Sequence, residues 1–482
     1  MGIMKNKIAT LFLTFVLMAT MLCGCAGGST EQPNEPNRTG QTDAENGNRE
    51  QTELDLGPTT GEISFYVAGG PTELALWDKL ISEFEKQNEG ITVKKIQFSN
   101  YDTVFSALQA GNAPDVIQVA NNYLGNWAAA GAIKSLQPLI DQEQFDTSVY
   151  WNQIITMFSY DSETRSRGTG DLYALPKDYG VYGIYVNQSM LDNSVSAGYI
   201  TEQEKQEILD RKNPMTFDRY LELAKKLTVK KNGEVKQFGT NSIMAESYLW
   251  SLGADLIKDG KYFNAEDPKV QQVYQYIANM VNPNHEDYCA PSPTDTSSQD
   301  ALSMFLTGKI CMYWAGRWAA PSFDAANMKL AVIPVPVAEK GGTPYVPAVS
   351  AGYAISRNSK KMGMAWKFIK FMASETAYKT MNEMNYLVPG IQALGEDPVF
   401  TTPVASTSMT SEDLKVFIEL AGNAKCAYGD YFLSNRWYDM FNQKITPLFD
   451  GSGQYKDAAD CLLSIKEDID AAIRSSAPQL FE

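Results

Sequence analysis

Histidine is almost missing from this chain: His285, in the polar, Pro-rich stretch "NPNHEDYC", is the only one in 482 residues. No Ser-His-Asp triad and no multi-histidine metal centre can be built from it, and its setting reads as a solvated loop. Positive charge is also short, with 41 Lys and Arg against 57 Asp and Glu, a net charge of −16. A phosphate-binding surface needs the opposite balance, so nucleic acid is excluded as a partner. There is no Walker motif, no GxGxxG after a strand, no GxSxG, no EF-hand loop and no internal repeat. Nothing therefore calls for a cofactor, a metal or a catalytic residue. No cysteine pair has the CxxC spacing. Disulfides among Cys289, Cys311, Cys426 and Cys461 are allowed outside the cell, and the spacing leaves their pairing open. The longest apolar run, residues 8–22, is 15 residues, short of the roughly 20 that span a bilayer.

That run is nevertheless informative. Lys5 and Lys7 precede it and Leu22-Cys23-Gly24-Cys25 ends it. A short positive region followed by an apolar stretch of this length has the form of a secretory signal. Its end resembles the lipobox of bacterial lipoproteins. The resemblance implies cleavage before Cys25 and acylation of Cys25, each buried CH₂ contributing about 0.8 kcal/mol to membrane attachment. Residues 26–60 are rich in Gly, Ser, Thr, Gln, Asn, Pro and Glu, with seven acidic side chains against two basic. Such a segment cannot bury enough apolar surface to offset its ordering entropy and reads as a tether. Residues 1–24 are thus expected to be the signal peptide, and 25–60 the lipidated cysteine and tether. The remaining 420 or so residues suit two lobes.

The body alternates early between strand and helix. "GEISFYV" places Ile63, Phe65 and Val67 on one face of a strand. "LWDKLISEFEKQNEG" carries Trp77, Leu80, Ile81 and Phe84 at helical spacing up to Gly90. "ITVKKIQF", "YDTVFSALQAG", "PDVIQV" and "LGNWAAAGAI" continue strand, helix, strand, helix, the pattern of a helix-covered parallel sheet. "LAVIPVPV" and "PAVSAGYAISRN" read as strands. "SKKMGMAWKFIKFMAS" reads as a helix with Ser359 as its cap, "TFDRYLELAKKLT" as one capped by Thr216, and "SEDLKVFIELAG" and "AADCLLSIKEDIDAAIRSS" as two more.

Five stretches in order carry a family resemblance: "LWDKLISEFEKQNEGITVKKIQF", "LQAGNAPDVIQVANNYLGNWAAAGAIKSL", "DLYALPKDYGVYGIYVNQSML", "GKICMYWAGRWAAPSF" and "SAGYAISRNSKKMGMAWKFIKFMAS". Over about 61–480 the chain resembles the extracellular solute-binding proteins of family 1, the sugar-type receptors of ABC importers, with maltose-binding protein a distant relative. The resemblance implies an α/β, two-lobed periplasmic-binding-protein-like fold of type II. The first lobe would take 61–181 and 354–400, the second 182–353 and 401–482, with crossings near 180–182, 350–353 and 401–407. The ligand would lie between the lobes, which close on it about hinge strands. The implied role is a monomeric, non-enzymatic receptor, lipid-anchored on the outer face of a Gram-positive cell membrane, delivering a carbohydrate to ABC permease subunits.

A sugar has an apolar face, which aromatic rings cover, and a rim of hydroxyls, which Asn, Asp, Glu and Arg bind. "YWAGRW" offers Trp314, Arg317 and Trp318, and Trp318 matches the family position whose ring stacks on sugar. "MAESYLW" offers Glu246 and Trp250. "VANNY" offers Asn121 and Asn122 directly after a strand, where an open sheet presents its site. "PKDYGVY" offers Asp178 and Tyr179, and Tyr353 lies at an expected crossing. Asn122 stands where the maltose relative has an acidic residue, and Gly180 where it has Glu, so maltose-like specificity is not carried over. For an anionic sugar, Arg317 is the expected carboxylate partner, with Lys177 and Arg436 as further cations. Arg436 and Trp437 in "SNRWYD" are candidates for the cleft or for a structural pair. Three rival readings remain: the same fold binding a peptide or polyol, a lipoprotein adhesin, and a secreted glycoside hydrolase. The last needs two carboxylates on a barrel or sandwich, which the strand–helix order does not support.

Overall fold

Twelve strands build two sheets. In chain order they are β1 (Gly61–Val67), β2 (Ile91–Gln97), β3 (Val116–Ala120), β4 (Leu175–Pro176), β5 (Gly180–Asn187), β6 (Val229–Lys231), β7 (Glu234–Thr240), β8 (Ile310–Gly316), β9 (Leu330–Ile333), β10 (Val346–Val349), β11 (Ala351–Ile355) and β12 (Ala424–Cys426). These come from a computed structural model, which describes residues 54–67, 71–385 and 387–481. The signal sequence, Cys25 and residues 26–53 of the expected tether lie outside them. From Leu54 onward the chain forms one compact unit.

The first sheet has the order β2-β1-β3-β11-β4. β1 pairs parallel with β2 and β3, and β11 returns antiparallel to both β3 and β4. The alternation in β1 holds: Ile63, Phe65 and Val67 are fully buried. Phe65 packs edge-on against Trp77 of helix α1 (Pro71–Gln87) and against Phe368, 6.3 and 5.1 Å between ring centres. Helices α2 (Tyr101–Ala110) and α3 (Asn121–Ala129) follow β2 and β3. Asn100 caps α2 through Thr103 N, and Gly111 closes it at φ +75°, a left-handed value that glycine adopts without cost.

The second sheet has the order β12-β10-β5-β8-β7-β6, with β9 also on β5. Its helices include α4 (Ala245–Ser251) and α5 (Pro268–Val281). Helix α6 (Met362–Met372) covers the first sheet. Helices α7 (Arg436–Phe449) and α8 (Ala458–Ser476) pack on each other and on α5.

Five expectations change. "PAVSAGYAISRN" is two strands: β10 belongs to the second sheet, β11 to the first, and Ser350 is the crossing between them. A lobe boundary at 354 would cut β11. "LAVIPVPV" is a strand only as far as Ile333, because Pro334 and Pro336 have no N–H for a ladder. Ser359 does not cap α6. Its hydroxyl donates to Asp115 Oδ1 at 2.8 Å, and no side chain caps that helix. The orphan N–H of Gly363 in its first turn is taken instead by the carbonyl of Leu56, at 2.8 Å. Residues 54–60, expected in the tether, therefore pack on the body, with Leu54 and Leu56 against the core.

Candidate functional site

The chain passes from the first sheet to the second through Lys177–Tyr179, between β4 and β5, and back through Ser350. Hydrogen bonds clamp the two passages together. Lys177 N donates to Ala351 O at 2.7 Å. Ser350 Oγ donates to Asp178 O at 2.6 Å, and Ala351 N to Asp178 Oδ1 at 3.0 Å. Asn121, at the start of α3, locks the same joint. Its Oδ1 accepts from Ser350 N at 2.9 Å, and its amide donates to Asp430. Asp430 also takes Arg167 at 2.9 Å, with both side chains almost wholly buried.

Over this joint lies a cleft of about 720 Å³, lined from both sheets, within the range of about 300–1,000 Å³ usual for small-molecule sites. Tyr101, Gln118, Asn121 and Asn122 line one side. Tyr182, Met244, Glu246 and Trp318 line the other, and Asn435, just ahead of α7, with Tyr438, Asp439 and Asn442 of α7 complete it. Two other cavities, of about 610 and 720 Å³, have no aromatic residue in their linings.

Trp318 is 36% exposed, whereas each of the other seven tryptophans is less than a tenth exposed. Its ring lies over two glycines. A Cβ on Gly316 would come within 1.8 Å of it, and one on Gly180 within 2.8 Å. The missing side chains at 316 and 180 leave the space the indole occupies. Tyr182 holds its edge, at 5.2 Å and 89° between ring planes. Beside it, Glu246 is 4% exposed and accepts from Tyr438 OH at 3.1 Å. No cation pairs with Glu246 among the described residues, and burial raises its carboxyl above the usual range. Burial, and then the charge of Glu246, push the Tyr182 hydroxyl up to about 12, so it stays a donor at neutral pH.

The structure brings Asn121, Asn122, Asp178, Glu246 and Trp318 together at this cleft. Asn121 and Asp178 are largely spent on the joint, while Asn122 has no side-chain hydrogen bond among the described residues. The remaining candidates lie elsewhere. Tyr179 is buried, its hydroxyl on Ala421 O at 3.3 Å. Tyr353 sits in the core of the first sheet, 5.9 Å from the Phe65 ring. Trp250 is buried, with Nε1 donating to Asp255 at 3.2 Å. Trp314 is buried, with Nε1 donating to Tyr220 OH at 2.8 Å. Arg317 is 2% exposed, and its guanidinium is consumed by Asn382, Asn385 and the Phe400 carbonyl, so it cannot meet a ligand carboxylate. Arg436 lines a different cavity and Trp437 is buried.

The residues missed are Tyr101, Tyr438, Asp439 and Asn442. A signal existed for α7: positions 435, 438, 439 and 442 are one polar face at i, i+3, i+4, i+7. Among the described residues, no group of His, Cys, Asp and Glu is arranged to hold a metal, Cys289, Cys311, Cys426 and Cys461 are unpaired, and no helix is long and apolar enough to cross a membrane.

A two-sheet body with a cleft at paired crossings can be set beside known proteins. The sequence profile of the bacterial extracellular solute-binding proteins matches residues 68–379. The chain belongs to that family. Among its relatives are the multiple sugar-binding protein of Streptococcus mutans, 23% identical over 66% of this chain and 73% of that protein, and the galactooligosaccharide-binding protein of Bacillus subtilis, 22% identical over 71% and 78%. An ABC substrate-binding protein of Listeria monocytogenes in complex with cycloalternan superposes with a TM-score of 0.69, at 21% identity, covering 86% of this chain and 99% of that one. The maltose/maltodextrin-binding domain of Bdellovibrio bacteriovorus bound to maltotriose gives 0.63 at 17% identity, covering 86% and 100%. This family member has the two-lobed α/β type II fold.

Proposed function

We propose that this protein is the receptor of an ABC importer and captures a neutral oligosaccharide in the cleft between its lobes. The observation that carries the reading is Trp318, the one tryptophan with an open face, laid over Gly180 and Gly316 beside the uncompensated carboxylate of Glu246. Ring face and rim acceptor are what a pyranose needs. Tyr101, Asn122, Tyr438 and Asn442 supply further donors and acceptors. The sugar-binding names of its relatives agree with this class of ligand.

Five carboxylate side chains and one ammonium, Lys177, line the cleft, and Lys177 already lies 3.5 Å from both Glu73 and Asp178. Such a field repels uronic, sulfated and phosphorylated sugars. In this reading, lobe one is built on β1–β4 and β11 and lobe two on the second sheet, and they close about residues 177–179 and 350. The closed form is favoured by the ligand's greater affinity for it. Cys25 would tether the receptor to the outer face of the membrane, where the closed form meets the permease. No residue performs covalent chemistry.

The test is a thermal-shift screen of the purified protein against neutral and acidic mono- and oligosaccharides. A ligand at 100 times its dissociation constant adds about 2.7 kcal/mol. Stabilisation by neutral members only is the expected outcome. A flat response to all sugars, or stabilisation by acidic ones alone, would sink the reading.

A further inference from the structure

The cleft does not end at Glu246. A second, open groove of about 420 Å³ shares four wall residues with it: Met244, Glu246, Tyr438 and Asn442. The hydrogen bond from Tyr438 OH to Glu246 Oε1 stands at the passage between the two spaces. Beyond it the chemistry changes. The walls are Ile277 and Val281 from α5, Phe441, Ile445 and Phe449 from α7, and Ile243 just ahead of α4. Helix α7 thus serves both spaces. Its face at 435, 438, 439 and 442 meets the cleft, while the stripe at 441, 445 and 449 lines the groove.

Apart from the shared residues, the groove's polar side chains are Ser242, Tyr274 and Thr296, a minority of its lining. The hydroxyl of Thr296 is already used by the carbonyls of Ser292 and Pro293, both at 3.2 Å. A further sugar ring placed here would face its hydroxyls against hydrocarbon, at the cost of unpaired polar groups. An apolar group gains instead, because its surface leaves water. Continuity with the sugar cleft sets what that group is attached to.

We propose that the groove is a second subsite, taking the apolar substituent of a glycoside, an aryl or alkyl aglycone, whose sugar lies in the cleft. This rests on reading the cleft as a sugar site. The glycosidic oxygen then sits at the passage, beside the hydrogen bond from Tyr438 to Glu246. A free oligosaccharide fills the cleft alone. A glycoside fills both spaces.

Calorimetric titration of matched methyl, p-nitrophenyl and n-octyl glycosides of glucose, galactose and maltose tests this, the octyl members held below their micelle concentrations. For the sugar that binds, the aryl or octyl form is expected to bind at least tenfold more tightly than the methyl form. Ala245→Phe, which puts a ring into the groove from the first turn of α4, should abolish that advantage and leave the methyl glycoside's affinity intact. Phe449→Ser, at a half-buried wall position, should reduce the advantage several-fold, and serves if Ala245→Phe does not fold. Equal affinities across the series, with the free sugar still binding, overturn the groove and leave the receptor standing. So does an aryl advantage unchanged in the folded variants. No binding by any sugar or glycoside overturns both.

Discussion

Arg317 and Trp318 are neighbours with opposite fates, and the difference was not written in "YWAGRW". Both are residues that bind sugars. Arg317 turns inward because Asn382, Asn385 and the Phe400 carbonyl, all more than 60 positions away, complete its hydrogen bonds. No local pattern announces partners so distant. Trp318 was legible through the family position it matches; that glycines at 180 and 316 leave room for its ring is visible only in the fold. Trp318→Ala is expected to weaken sugar binding by roughly 1.5–3 kcal/mol, the value of one buried aromatic face. Melting of the ligand-free protein should move little; calorimetry and thermal unfolding check the two halves separately. Glu246 gives a prediction of the other sign. Its carboxyl is raised by burial, so its contribution to stability is present below the ordinary carboxylate pKa and is lost as pH rises through the folded value. Glu246→Gln should therefore raise the melting temperature at pH 7 by about 2 °C, an effect on the order of 1 kcal/mol. It should do little at pH 4 and should weaken sugar binding. A variant less stable at pH 7 than the parent would contradict this.

Most elements could be read from periodicity. The strand at 61–67, the helix behind Thr216 and the helix at 458–476 fall where the apolar spacing puts them. Apart from the strand cut short by Pro334 and Pro336, what failed were features decided by pairing across the molecule. Ser350 interrupts an apparently continuous strand because its two halves find partners in different sheets: β10 on β5, β11 on β3. The cap of α6 failed for the same reason, since a backbone carbonyl from residue 56 has no side-chain signature. That cap can be tested. Deleting residues 54–60 removes the acceptor for Gly363 and uncovers the surface under Leu54 and Leu56. A loss of about 1–3 kcal/mol is expected, seen as a melting temperature a few degrees lower. Asp55→Ala and Thr59→Ala, which leave the Leu56 carbonyl in place, should change it by less than about 0.5 kcal/mol.

At the scale of the whole molecule, the class of protein was plain from what the chain lacks and from five stretches in order. The cleft was only half legible, because a site assembled at a crossing draws on residues 192 to 309 positions apart. Asn121 meets Asp430, and Tyr438 meets Glu246. The joint at 177–179 and 350 is held by four hydrogen bonds and a buried ion pair nearby, and in the proposed reading the lobes turn about it. Small-angle scattering should then show a radius of gyration that falls when the sugar found in the screen is added. For Trp318→Ala at the same sugar concentration it should stay at the ligand-free value. A radius unchanged by a ligand that demonstrably binds would rule out closure.

The burial of seven tryptophans out of eight has a practical side. Under excitation of the indoles, seven emit from surroundings that a ligand does not enter. The eighth looks into the cleft and changes environment when something covers it. The protein therefore carries its own indicator: a ligand in the cleft should shift its fluorescence, and a soluble quencher should reach one tryptophan in the empty protein and none in the filled one.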